Sequence, residues 1–143
     1  MRAKEPSIDD LAAFAAFADA FESADFLPGE WLSPQPSGDA DSAFPIWASG
    51  DVVSRWHQAL YDRDIVDPDS DYLSEAFAQQ MDEFVTDPTL LSAADLSTIR
   101  TVLTNISRGD RFCDGYMASM FENDVSQAAT ARLVSLSAED GAP

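Results

Sequence analysis

A lone cysteine, Cys113, and a lone histidine, His57, are the residues from which this chain could build a thiol–imidazole nucleophile. Nothing local supports the pair. Cys113 follows Phe112 at the edge of an expected helix, where a free cysteine behaves as a small buried hydrophobe. His57 adjoins Trp56 and is expected to cover a helix edge. No catalytic residue is assigned, and the chain is read as non-enzymatic. Asp67-x-Asp69-x-Asp71 copies the opening of a calcium loop. Such a loop needs Gly at its sixth position to turn and a bidentate Glu at its twelfth to close. Tyr72 and Ala78 stand there, and Pro68 stiffens the start, so an EF-hand is rejected. One Cys and one His do not make a zinc site, and Gly109 and Gly115 do not make a phosphate loop. No metal or cofactor is expected. Carboxylates are too numerous for a glycosidase-like pair to stand out.

What the chain does have is negative charge, unevenly placed. There are 26 acids, 8 Lys and Arg together, and a net charge of −18. Lys4 is the sole lysine, and no base lies between it and Arg55 or between Arg63 and Arg100. Such a surface repels nucleic acid and anionic membranes and attracts basic proteins. The most concentrated run is Asp62–Asp71, with Asp62, Asp64, Asp67, Asp69 and Asp71 around Pro68; like charges at that density predict an exposed turn. Asp82 and Glu83 fall near the C-terminal end of an expected helix, where negative charge opposes the helix dipole.

The elements that must position these residues are helical. Apolar residues recur at three- and four-residue steps, and no convincing period-2 strand appears. Ser7 with Asp10 marks a first helix, carried by Leu11, Phe14, Ala18 and Phe21 to about Asp25 and stopped by Pro28-Gly29. Leu27–Ala43 reads as a long Pro/Gly-rich loop, pinned by Trp31, Phe44, Ile46 and Trp47. A second helix is expected over 51–63, with Val52, Val53, Trp56 and Leu60 inward. A third is expected over 71–85, with Leu73, Ala76, Phe77, Gln80, Met81 and Phe84 on one side. Ser92 with Asp95 reads as the cap of a fourth, buried through Leu96, Ile99, Val102, Leu103 and Ile106 and ended by Gly109. A short fifth covers 112–121, and a sixth runs from Asp124 to about Leu136, leaving 138–143 as a frayed tail. The expectation is a single all-α domain over 1–143, an irregular bundle of five or six helices. The N-terminus lacks the apolar stretch of a signal peptide, no run is long enough to span a bilayer, and a cytoplasmic location is expected.

Leu103-Thr104, then Arg108-Gly-Asp110-Arg111-Phe112-Cys113-Asp114-Gly115, then Phe121-Glu122 and Arg132-Leu133 form a pattern. It resembles a family of small uncharacterised prokaryotic proteins with an L-T-x(3)-R-x-D-R-F-C-[DE]-G signature. The match covers mainly residues 100–136, with a weaker echo at Phe26–Trp31. The resemblance implies a shared helical domain and no particular reaction. Within it, Arg108 and Arg111, joined by Arg100, are read as structural ion-pair partners, and Asp110 as a helix cap.

These readings favour a non-enzymatic interaction protein that presents an acidic face to a basic protein surface. In its concrete form this is a nucleic-acid-mimicking inhibitor of the phage or mobile-element type. The contact residues are taken as Asp62, Asp64, Asp67, Asp69, Asp71, Glu75, Asp82 and Glu83. Two alternatives stand beside it. One is a housekeeping domain whose acidity reflects a salt-adapted proteome. The other is a small-anion binder or enzyme built on Arg100, Arg108 and Arg111.

Overall fold

A computed structural model describes residues 6–32, 46–109 and 115–140 of the chain. Asp110, Arg111, Cys113, residues 141–143 of the expected tail, and the stretch 33–45 with Phe44 fall outside the described residues, as do the side chains of Trp31, Ile46 and Trp47. The described chain runs α1 (Ile8–Ala12), α2 (Ala15–Glu22), β1 (Gly29–Leu32), β2 (Ile46–Ser49), α3 (Asp51–Asp62), α4 (Glu75–Thr86), a 3₁₀ segment (Pro88–Ala93), α5 (Leu96–Gly109), α6 (Tyr116–Glu122) and α7 (Val125–Asp140). The architecture is a helical bundle, as the periodicity predicts. One small antiparallel hairpin departs from it, pairing Gly29 with Ser49 and Leu32 with Ile46. Each strand has only four residues, too few for alternation to register in the sequence.

The long last helix α7 is the hub, packing against α1, α2, α5, α6 and the 3₁₀ segment. Val125, Ala129, Leu133 and Leu136 give it an apolar stripe, and Ser126, Thr130 and Ser137 are buried beside them. Trp56, fully buried, donates its indole N–H to the Thr130 hydroxyl at 2.9 Å. Its ring meets Phe21 and Phe121 edge-on, at centroid distances of 5.8 and 5.2 Å. This joins α2, α3, α6 and α7 at one aromatic centre, a geometry worth about 0.5–1.5 kcal/mol per pair beyond the buried area.

Ser7 caps α1 as expected, in a full capping box: its hydroxyl accepts the Asp10 N–H and the Asp10 carboxylate accepts the Ser7 N–H. The single first helix, however, is two. At Ala13–Phe14 the backbone tightens, with Phe14 N bonded to Leu11 O, before the α pattern resumes. Leu11 and Phe14, on either side of the break, are both fully buried. The capping residue of α5 is Asp95, whose carboxylate accepts the Thr98 N–H at 2.8 Å. Ser92 instead lies inside the 3₁₀ segment and bonds back to Thr89 O, because Asp87-Pro88 starts that segment with Pro in its first turn. Residues 138–140, expected to fray, continue α7, tied by Glu139 to Arg132 at 3.1 Å.

Candidate functional site

The charge centres on the segment between α3 and α5, so the first question is what holds that segment in place. α3 ends in a Schellman turn: Asp64 N bonds Tyr61 O, Ile65 N bonds Leu60 O, and Asp64 takes φ 59° at the left-handed position. The turn drives Ile65 and Val66 into the core. The stretch 62–71 is therefore not the wholly exposed turn its five aspartates predict. Two apolar residues between the charges anchor it.

The polar face of α5 then grips it residue by residue. Arg100, only 7% exposed, donates from Nε to Ile65 O at 3.2 Å and from Nη2 to Asp64 O at 3.0 Å. Its Nη1 lies 3.9 Å from the Asp67 carboxylate. One turn on, the Thr104 hydroxyl accepts the Asp67 N–H at 2.8 Å. Arg108 sits over the Tyr72 ring, 5.8 Å from its centroid. Asn105 donates to Tyr72 O at 3.0 Å and accepts from the Tyr116 hydroxyl. Positions 100, 104, 105 and 108 share one side of the helix, so one stripe of α5 templates the chain from Asp64 to Tyr72. Gly109 closes the stripe, since a Cβ there would fall 2.8 Å from the Tyr116 ring. Gly115, at φ 86°, gives the left-handed start of α6.

This arrangement divides the eight carboxylates named from the sequence. Asp62 accepts from Gln58 and lines a shallow groove with Arg55 and Arg63 on α3, apart from α4. Asp64 and Asp67 are half-buried; Asp67 also accepts the Asp69 N–H at 3.1 Å and faces Arg100. These three are set apart from α4: Asp62, though exposed, lies beside Gln58 on α3, and the Asp64 backbone carbonyl and the Asp67 carboxylate face Arg100. Asp69, Asp71, Glu75, Asp82 and Glu83 are exposed.

On α4 the geometry is simple. Phe77, Met81 and Phe84 are buried, and Glu75, Gln79, Asp82, Glu83 and Thr86 lie on the opposite side. Ser74 caps the helix, so the helix starts four residues later than the apolar pattern predicts. Leu73, expected inside, is outside the helix and 74% exposed; Ala76 and Gln80 are exposed too. The sequence reading missed Asp87. It caps the 3₁₀ segment by accepting the Thr89 N–H, and it stands with Asp82, Glu83 and Leu90 around one surface depression. An Asp immediately before Pro is the signal that could have found it.

The described ion pairs lie elsewhere: Arg55–Asp51, Arg63–Asp10, Arg100–Asp67 and Arg132–Glu139. No basic side chain occupies the last turn of α4. Spread over 8611 Å², a net −18 averages one charge per about 480 Å². The outer half of α4 is different. Taken as a half-cylinder of radius about 5 Å and length about 18 Å, it carries Glu75, Asp82 and Glu83 at about one charge per 90 Å². Duplex DNA carries about one per 100 Å².

His57 is half-buried and engaged from α5. Its Nε2 lies 2.7 Å from the Ser107 hydroxyl, which donates to the Tyr61 hydroxyl at 2.9 Å. Arg100, the first of the three arginines of the anion-pocket alternative, is turned onto loop carbonyls, and Arg108 covers Tyr72. Among the described residues no three His, Cys, Asp or Glu side chains converge as a metal site, and no described helix is long and apolar enough to cross a membrane. No curated protein and no solved structure matches the chain. A model for a family of unknown function, DUF6508, matches residues 6–139, nearly the whole chain, and the protein belongs to that family.

Proposed function

We propose that the protein is a cytoplasmic, non-enzymatic interaction module whose acidic edge engages a basic protein surface, in the manner of a nucleic-acid mimic. The edge comprises Asp69 and Asp71 on the templated turn, Glu75, Asp82 and Glu83 along α4, and Asp87 at its end. One observation carries the reading: Glu75, Asp82 and Glu83 share the exposed side of α4, at a spacing of the order of a duplex's charges, while the described ion pairs lie elsewhere. A salt-adapted proteome raises the average acidity of a surface but gives no reason for this concentration.

The templated turn adds to the argument. A partner that reads fixed charges loses less entropy on binding than one that must order them. Arg108 and Gly109, which open the Arg108–Gly115 signature, lie where α5 finishes gripping the turn, and we read them as the anchor of that scaffold rather than as a site of reaction. Exposed Leu73 and Leu90, at 74% and 47%, bracket the acidic stripe and offer apolar contacts at its two ends.

The test is affinity capture from a native host extract, with the wild-type chain and a Glu75→Lys/Asp82→Lys/Glu83→Lys variant as baits. The reading predicts a basic nucleic-acid-binding protein retained by the wild type alone and released as salt rises. Equal retention by both baits refutes it.

A further inference from the structure

A second surface feature lies on the other side of the 3₁₀ segment. α2, α7 and residues 88–92 enclose an open groove of about 760 Å³. Its α7 wall follows the positions 124, 127, 128, 131, 132 and 135, one continuous helical stripe about 16 Å long. Its apolar lining is Phe21 with three alanines, Ala18, Ala128 and Ala131. Small side chains let a second backbone approach closely, as when a helix lies against a helix.

The charges around this floor have one sign in effect. Glu22 and Asp124 are exposed on the rim. The one lining cation, Arg132, is engaged by Ala94 O at 2.7 Å and by the Glu139 carboxylate at 3.1 Å. An apolar floor between acidic rims suits an occupant that is apolar on one side and cationic on the other.

We infer that the groove receives an amphipathic basic helix of the partner protein, about two to three turns of it. This inference rests on the acidic-edge reading and deepens it. The 3₁₀ segment is the shared wall: Pro88, Thr89 and Ser92 face the groove, while Asp87 and Leu90 border the acidic end of α4. A helix lying in the groove places its cationic side toward both rims, and the rest of its basic surface meets α4.

The probe is a fluorescently labelled Leu/Lys helix of about 18 residues, apolar at i, i+3, i+4 and i+7, with a lysine peptide of equal charge and no apolar face as comparator. Anisotropy is read against the wild type, Ala131→Trp and Asp82→Lys/Glu83→Lys. Ala131 is exposed on the groove, so tryptophan fills it from the solvent side. The expected result is tighter binding of the amphipathic helix than of the comparator. Ala131→Trp should weaken the helix at least tenfold and leave the comparator unchanged. Backbone amide shifts of the wild type provide a variant-free measurement and should move at Ala18, Ala128 and Ala131. Equal binding to wild type and Ala131→Trp, with shifts confined to α4, overturns the groove. So does saturation by a simple alkylammonium that leaves the peptide unbound, or self-association of the chain that Ala131→Trp abolishes. Helix binding sensitive to Ala131→Trp but indifferent to reversal on α4 keeps the groove and removes the acidic-edge reading.

Discussion

If the acids of α4 serve a partner and not the helix, those at its C-terminal end must cost stability. Glu75 lies in the first turn of α4 and Glu83 in the last, on the same exposed side. Carboxylates favour the positive end of the helix dipole and oppose the negative end by about 0.3–1 kcal/mol at exposed positions. Glu83→Lys removes one unfavourable interaction and adds one favourable, for a gain of about 1 kcal/mol. Glu75→Lys reverses both signs and loses about as much. Each variant changes the net charge by the same two units, and Glu and Lys have similar helix propensity. Relief of overall repulsion and propensity therefore cancel in the comparison. An unfolding entropy of about 2.1 cal/mol/K per residue gives about 0.3 kcal/mol/K for the chain, so the two variants should differ in Tm by about 6 °C. Thermal melts followed by circular dichroism at low salt measure it, with urea rather than guanidinium as the isothermal check. At 1 M NaCl the Debye length is about 3 Å, and most of the difference should vanish. Equal shifts in both variants, or a loss of stability in Glu83→Lys, would refute the claim that the C-terminal acids of α4 run against folding.

Other expectations concern the scaffold. Arg100→Met strips two loop carbonyls and the Asp67 carboxylate of their guanidinium, and should cost about 2–3 kcal/mol in urea melts while speeding amide exchange at Ile65, Val66 and Asp67. Gly109→Ala sets a methyl against the Tyr116 ring and should lose about 1–3 kcal/mol, with Gly109→Ala/Tyr116→Ala recovering the part due to the clash. The Thr98 backbone N–H holds the Asp95 carboxyl below its ordinary 3.8, and the Ser7 N–H does the same for Asp10. For a depressed folded pKa the stabilisation is present above the unfolded value and is lost as pH falls through the folded one. Stability should therefore drop below about pH 4. Asp95→Asn keeps a capping oxygen but cannot titrate, so its stability should depend less on pH over that range, as read from urea midpoints at pH 5 and pH 2.5.

Much of the helical frame is legible in residue spacing. Val53, Trp56 and Leu60 place α3 within a residue of its observed span, and Ile99, Val102, Leu103 and Ile106 give the buried stripe of α5. What escapes the pattern does so for local reasons. Leu73 continues the apolar series of α4, but Ser74 captures the Phe77 N–H and starts the helix after it. Ile65 and Val66 look like interruptions in an acidic run until the Schellman turn at Asp64 points them inward. The Ile65 carbonyl is held by Arg100, 35 residues away, a contact no short window of sequence contains. The candidate site is legible as a concentration of charge, but not in its membership. Periodicity places Glu75, Asp82 and Glu83 together. It cannot separate Asp67, turned toward Arg100, from Asp69, which is turned out, because that choice is made by hydrogen bonds of the turn itself. The groove has no signature at all, since it is assembled from α2, α7 and the 3₁₀ segment, each unremarkable alone.

Competition between the captured partner's nucleic acid and this protein tests the central claim most directly. The complex is formed at low salt and titrated with the duplex or strand that the partner binds, and the fraction of labelled protein still bound is followed by anisotropy. A mimic shares its site with the nucleic acid, so the account predicts complete displacement, with an apparent affinity that shifts in proportion to the competitor. A stable ternary complex, with both the protein and the nucleic acid held by the partner at saturation, would contradict it.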